Sequence, residues 1–387
     1  MSSKRHKLSA DPDEEVVAAE DDAVVADTIA GITEDVIQTT DGLERLRGRR
    51  LLLTGGTGFI GTWLLETIAT LNGRWDEPCQ VYVPTRDVEA FARKAPHLAA
   101  RPEFTWLAGD IATFAVPETP CDFVIHAAAS ASPLRKERTA IEVGTTIVEG
   151  TRRMLDLALE WRVEGMLFLS SGAVYGRQPA DLERVPEAYP GGPDLGVAYS
   201  TYAEGKRYAE TLCVAYQGAY GVPVTIARPF TFVGPYQDLD AGFAATDFVR
   251  DGLRGQPIVI AGDGTAVRSY CGPADLSRAL WSVLFRGRPG RAYNVGADTP
   301  VTIRELAERV VAALDQPIAV EVRGEARPGQ LPERYLPDIT RLRQELGIAP
   351  RDDLDDVLRR TARWAARRAS IGAGREAAGA ARHGEEG

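Results

Sequence analysis

The sequence predicts an α/β chain, with a parallel, doubly wound sheet over residues 28–229 and a smaller mixed α/β lobe over 230–364. Three observations carry that prediction. Short apolar runs alternate with helical stretches from Arg50 to Ile226. Strands joined by helical crossovers run parallel, because each helix returns the chain to the same edge of the sheet. A glycine-rich segment, Thr54-Gly-Gly-Thr-Gly-Phe-Ile-Gly61, stands where the first apolar run passes into the first helix. The regular alternation stops at Phe230, where short strands and helices begin to mix.

Residues 1–27 are polar, acidic and alanine-rich and are expected to be disordered. Ile29, Ile32, Val36, Ile37, Leu43 and Leu46 have helical spacing, so a short helix is expected from Asp27 to Leu46, beside the first strand. Strands follow at Arg50–Thr54, Gln80–Pro84, Phe104–Leu107, Asp122–Ile125, Gly165–Leu169 and Val222–Ile226. Helices are expected at Gly61–Leu71, Ile141–Trp161 and Tyr202–Tyr220. In the second lobe, strands Ile258–Ile260, Ala292–Val295 and Ile318–Val322 mix with helices Phe243–Leu253, Ala274–Leu284 and Ile303–Ala313. Residues 365–387, rich in Ala, Arg and Gly, are expected to form a flexible tail.

Composition narrows the function classes. The 387 residues are 44% hydrophobic and 26% charged, an ordinary globular mixture. Net charge is -10, and residues 1–35 hold ten acidic against three basic side chains. Such a chain is a poor nucleic-acid binder. No apolar run reaches eighteen residues, and no basic segment followed by an apolar block opens the chain. Neither a membrane span nor a secretory signal is expected. Cys79, Cys121, Cys213 and Cys271 are scattered and read as free buried thiols of a cytoplasmic protein. His6, His97, His126 and His383 are equally dispersed, so no metal site is expected.

The chemistry lies in two motifs. Tyr202 and Lys206 are four residues apart, on one face of a helix. A free phenol has a pKa of ~10, too high for a base at neutral pH. A positive charge ~4 Å away at an effective dielectric of ~20 is worth about 4 kcal/mol, roughly 3 pKa units. Lys206 is therefore expected to make Tyr202 a workable acid/base. In the glycine segment, the spacing of Gly55, Gly58 and Gly61 lets the backbone turn sharply and approach a pyrophosphate at the helix N-terminus. The strand that follows should carry an acid for the ribose of NAD; here Thr85 or Arg86 holds that place. An arginine there can pair with a 2′-phosphate, which leans towards NADP, while Asp87 serves NAD if the loop shifts by one residue. Asp110 and Ile111 close the third strand, where an adenine amine can be received; a turn aspartate is the alternative.

These motifs resemble the extended short-chain dehydrogenase/reductase family, NAD(P)-dependent Rossmann-type enzymes of the nucleotide-sugar epimerase/dehydratase group. The resemblance runs from about Arg49 to Pro350 and adds His126-Ala-Ala128, Ser170-Ser-Gly-Ala-Val-Tyr-Gly176, Arg228-Pro229, Gly262-Asp-Gly264 with Arg268, and Tyr293-Asn-Val-Gly296. It implies that Ser171 binds the reacting sugar oxygen, with Ser170 the alternative. It further implies that Tyr202 moves the proton and that Lys206 holds the nicotinamide ribose. Phe59, Ile60, Ala127, Ala128 and Pro229 join the glycines around the dinucleotide. Arg268, and also Arg327, are implied to clamp the substrate diphosphate. Thr231 stands where many relatives carry asparagine facing that diphosphate. A homodimer is implied, formed through Ile141–Trp161 and Tyr202–Tyr220.

An absence separates the reactions. Relatives that eliminate water carry an acidic pair after the serine or threonine, and those that decarboxylate UDP-glucuronate carry a glutamate nearby. This chain has Gly172 and Ala173, which are neither acid nor base. Glu204, two residues past Tyr202, should face elsewhere. The reading is therefore an epimerase working through a transient keto-sugar. The alternatives are an NADPH-dependent 4-ketoreductase of a 4-keto-6-deoxy nucleotide sugar, towards which Arg86 points, and a non-catalytic dinucleotide sensor. Retention of Ser171, Tyr202 and Lys206 argues against the sensor.

Overall fold

The computed structural model describes residues 12–128, 139–326, 329 and 331–383. In chain order the first part comprises α1 (Pro12–Thr39), a 3-10 turn (Leu43–Leu46), β1 (Arg50–Thr54), α2 (Phe59–Asn72), β2 (Gln80–Thr85), α3 (Val88–Lys94), α4 (Pro96–Ala99), β3 (Phe104–Ala108), β4 (Phe123–His126), α5 (Ala140–Trp161), β5 (Gly165–Leu169), α6 (Ser200–Tyr220) and β6 (Val224–Pro229). The second part comprises α7 (Ala244–Leu253), β7 (Ile258–Ile260), β8 (Val267–Arg268), α8 (Pro273–Arg286), β9 (Ala292–Val295), β10 (Val301–Thr302), α9 (Ile303–Leu314), β11 (Val320–Val322), β12 (Arg334–Tyr335), α10 (Thr340–Leu346) and α11 (Leu354–His383).

The central sheet has seven parallel strands in the order β3-β2-β1-β4-β5-β6-β9. The chain steps outward from β1 to β3 and then returns to β4. The direction of winding thus reverses between β1 and β4, and the crevice at the C-terminal ends there is where such sheets bind ligands. Leu51, Leu52 and Leu53 are completely buried, because helices cover both faces of the sheet. Val36, Trp63, Leu64 and Trp281, from α1, α2 and α8, share one core with Leu51 and Leu53. Ile147, Met154 and Cys213, from α5 and α6, share the other with Leu52, Phe168 and Ile226. A reciprocal capping box between Thr139 and Glu142 starts α5.

The predicted sheet strands and long helices are present, with three differences. Ala292–Val295 was expected in the second lobe, yet it is the seventh strand of the main sheet, pairing Ile226 with Ala292 and Pro229 with Val295. Tyr293 and Val295 are buried on that edge, which otherwise would expose the backbone of β6. The N-terminal helix starts at Pro12, inside the stretch expected to be disordered. Pro12 is tolerated in the first turn, and no glycine or further proline interrupts the next eighteen residues. At the other end, α11 continues to His383 through the stretch expected to be a flexible tail.

In the second lobe, β7 and β11 form a parallel pair. The short strand β8 lies between β10 and β12, with Arg268 in register with both Val301 and Tyr335. Among the described residues no helix is long and apolar enough to cross a membrane, and no cluster of three metal-ligating side chains exists. All four cysteines are free and buried.

Candidate active site

The glycine turn is packed too tightly for side chains. Gly55 has φ +71°, and a Cβ on it would lie 2.6 Å from the carbonyl carbon and oxygen of Ala127. A Cβ on Gly61 would run into the Gly55 carbonyl oxygen and the Gly56 backbone. The turn closes through Gly58 N–H donating to Gly55 O at 3.0 Å. No side chain caps the N-terminus of α2 at Gly58. An uncapped helix end over a bare backbone cradle is an anion site, so the residues present fit a dinucleotide pyrophosphate. Ala127 N–H donates to Thr54 O at 3.1 Å and Ala128 N–H to Thr54 Oγ1 at 3.3 Å, bringing the end of β4 against the turn. The Phe59 ring stacks on Phe232, with centroids 5.0 Å apart, so its side chain belongs to the packing and only its backbone faces the cradle.

At the end of β2, Arg86 is exposed and Thr85 is buried. Asp87 is occupied as the N-cap of α3, its Oδ1 accepting from Ala90 N–H at 2.8 Å. Asp110 serves a turn, accepting from Ala112 N–H at 3.3 Å. Ile111 is buried in the core, and its carbonyl accepts from Arg153 at 2.8 Å.

Ser171, Tyr202 and Lys206 come from β5's C-terminal end and from the first turns of α6. Of the two serines, Ser171 is the one whose hydroxyl hydrogen-bonds the Tyr202 phenol. Ser170 Oγ is buried without a protein partner. Lys206 is 2% exposed; its Nζ donates to Leu169 O at 2.5 Å and lies 4.8 Å from the centroid of Phe168. The expected depression of the Tyr202 pKa by Lys206 is absent. Burial raises the Tyr202 phenol, and the opposing influence is the Ser171 hydrogen bond. The reason lies in the lysine. Burial lowers Lys206 to about 7, against the raising influence of Glu210 and Cys213, so it holds only a partial charge at neutral pH.

A buried polar frame stands behind the pair. Glu210 takes two bonds from Arg228, at 2.9 and 2.5 Å, and Arg228 donates to Tyr175 Oη at 2.6 Å. Tyr175 donates to Asn294 Oδ1 at 2.8 Å, tying β9 to the segment after β5. His126 bridges Thr54 Oγ1 (2.8 Å) and Thr151 Oγ1 (3.1 Å), and burial lowers it to about 3, so it stays neutral. Glu204 lies beside Arg207 on the outer side of α6, at 3.5 Å.

On the lobe side, Arg268 Nη2 meets Glu333 Oε1 at 2.5 Å. Pro229 is buried at the end of β6. Thr231 follows it, its carbonyl accepting from Cys271 N–H at 3.0 Å. Arg327 lies outside the described residues. Sequence reasoning missed Tyr335. Its phenol shares the Ser171 hydroxyl with Tyr202, and its ring lies on Phe230 at 4.6 Å. No motif around Tyr335 signals this, because only the pairing of β12 with β8 brings it there.

The family model described as NAD dependent epimerase/dehydratase matches residues 51–296. The chain belongs to that family. UDP-glucuronic acid decarboxylase 1 of Arabidopsis thaliana is 32% identical over 319 residues, 82% of this chain and 69% of the relative. A dTDP-glucose 4,6-dehydratase of Streptomyces venezuelae, solved with NAD, superposes with a TM-score of 0.68 at 30% identity, covering 81% of this chain and 96% of the other. A UDP-glucose 4-epimerase of Thermotoga maritima, at 22% identity, shares the fold with a TM-score of 0.68, over 81% of this chain and 98% of the other. The relatives at 30% identity or more are named for decarboxylation and dehydration of nucleotide sugars; the epimerase is a likeness of fold.

Proposed function

We propose that this chain is a cytoplasmic nucleotide-sugar epimerase, acting through a transient keto-sugar with a dinucleotide that stays bound. The observation that carries the reading is the hydroxyl–phenol pair Ser171–Tyr202, set at the sheet's C-terminal end, with Gly172 and Ala173 where a dehydratase or decarboxylase would place its acid. Gly55, Gly58 and Gly61 would hold the pyrophosphate. The backbones of Phe59, Ile60, Ala127 and Ala128, with Pro229, would line the rest of the dinucleotide, and Asp110 and Ile111 its adenine end. Bound there, the nicotinamide supplies reversible oxidation of a carbinol. Tyr202 takes the carbinol proton and returns it, Ser171 holds the reacting oxygen, and Lys206 orients the ribose. Arg268 and Thr231 face the substrate diphosphate, with Arg327 as a further contact. The subunits pair through α5 and α6, where Ile141, Tyr208, Val214 and Tyr220 are exposed.

A second reading, an NADPH-dependent 4-ketoreductase, is favoured by the end of β2, where Arg86 is exposed and Asp87 is engaged in capping. One experiment separates the two. The purified protein is denatured, and the released dinucleotide is identified by mass spectrometry. Near-stoichiometric NAD supports the epimerase; an empty site that takes up NADPH in preference supports the ketoreductase. Tyr202→Phe should lower turnover by roughly 10²–10⁴ while dinucleotide content is unchanged. Unaltered turnover in that variant would reject the mechanism.

A further inference from the structure

The glycine turn is gripped from behind by a side chain that no motif announces. Lys94 is the last residue of α3, and its Nζ donates to Thr57 O at 3.0 Å, Gly58 O at 3.3 Å and Thr62 Oγ1 at 2.8 Å. Thr62 in turn donates to Gly58 O, from its hydroxyl at 2.6 Å and from its N–H at 3.0 Å. A trans peptide points its C=O and N–H in opposite directions. Holding the Gly58 carbonyl on one side therefore fixes the Phe59 N–H on the other, at the open N-terminus of α2. The same ammonium adds positive charge to that helix end, which is already favourable to an anion.

Lys94 is itself built in. Its Nζ lies 5.9 Å and 5.7 Å from the ring centroids of Phe91 and Tyr236. Tyr236 has φ +73°, a left-handed backbone that a tyrosine rarely adopts. Its hydroxyl donates to Glu66 Oε1 at 2.5 Å, and Trp63 Nε1 donates to the preceding carbonyl, Pro235 O, at 3.1 Å. The helix α11 closes the cluster: Trp364 meets Tyr236 edge-on at 5.5 Å, and Arg368 Nη1 donates to Lys94 O at 2.8 Å. We propose that Lys94 is a positioning residue of the dinucleotide turn, setting the peptides that meet the pyrophosphate, and that α11 acts on the cofactor through it by way of Arg368. The assignment rests on the dinucleotide-binding reading above and deepens it. The grip is on the turn backbone, so it serves NAD and NADP alike.

The test is calorimetric titration of the full chain, freed of any co-purified dinucleotide with charcoal, using NAD, NADP and adenosine as ligands. Lys94→Met keeps a side chain of similar length and removes the donors. It should weaken NAD and NADP to the same extent, about 10-fold, the low end for a hydrogen bond to a charged group, and leave adenosine, which has no phosphate, unchanged. Arg368→Met should weaken both dinucleotides about 2- to 3-fold in the parent and no further in the Lys94→Met background, because it acts through Lys94. An Arg368→Met effect that persists in that background would overturn the coupling to α11. If the parent binds neither dinucleotide, the dinucleotide reading falls and the assignment with it. If the parent binds them and Lys94→Met binds them equally well, the Lys94 assignment alone is overturned. A loss confined to NADP would move Lys94 from the turn to the ribose phosphate, and an equal loss of adenosine would make its role merely structural; either result overturns the proposal.

Discussion

Lys206→Met should make the protein inactive and, at mildly acidic pH, more stable. The lysine is 2% exposed, and burial lowers it from 10.5 to about 7. Between those two values the unfolded chain carries a proton that the folded chain lacks. Stability therefore rises with pH across the window from 7 to 10.5, and the penalty for the buried ammonium is complete below pH 7. At 1.36 kcal/mol per pKa unit, the penalty is about 5 kcal/mol at pH 6 and about 2 kcal/mol at pH 9. Methionine keeps most of the stem's contact with Phe168 but leaves Leu169 O without its donor, a loss of about 1–2 kcal/mol at either pH. The variant should thus gain about 3 kcal/mol at pH 6 and be nearly neutral at pH 9. Urea unfolding followed by circular dichroism, at both pH values and one ionic strength, reads the difference, and groups common to the two proteins cancel. A stability difference that is the same at pH 6 and pH 9 would refute the reasoning, since it would mean that Lys206 titrates normally in the fold.

Two further outcomes follow from the surrounding residues. His126 is lowered from 6.5 to about 3 and bridges Thr54 to Thr151. The unfolded chain takes up this proton first as pH falls, so stability present above 6.5 is lost progressively towards pH 3. His126→Leu should cost about 2 kcal/mol at pH 7 by removing the ring nitrogens that bridge the Thr54 and Thr151 hydroxyls, and should flatten the stability profile between pH 6.5 and 4. Urea unfolding at pH 4.5 and 7 checks both, and a profile as steep as the parent's would assign the acid sensitivity elsewhere. On the second lobe, Glu333 pairs with the Arg268 guanidinium that is proposed to hold the substrate diphosphate. Glu333→Ala should tighten UDP binding about two- to five-fold, the worth of one solvated ion pair, and calorimetry showing no change would mean that Arg268 does not reach the diphosphate.

The parts of this protein that were legible in its sequence are those whose cause is local. The turn from β1 into α2 needs glycines because Ala127 and the Gly56 backbone occupy the places of their side chains, and three glycines at that spacing are visible without a structure. The Tyr202–Lys206 spacing likewise declares one helix face. What could not be read depends on partners distant in sequence. Ala292–Val295 has the same apolar pattern whether it pairs with β6 or within the lobe, and only the unsatisfied edge of β6 decides. The helical spacing of Ile29 to Leu46 marked α1's anchoring half but not its reach back to Pro12. Lys206 shows the same limit in energetic form. Helical spacing put an ammonium beside a phenol, but depth of burial beside Phe168 and Leu169 on the neighbouring strand left it only partly charged at neutral pH. Gly172 combines both kinds of cause. The missing acid at 172 was visible at once as a glycine in the motif. Its physical origin, the Tyr335 hydroxyl, enters only when β12 pairs with β8. An absent side chain in a motif thus says what chemistry the position does not perform; what occupies the space instead is decided by the second lobe.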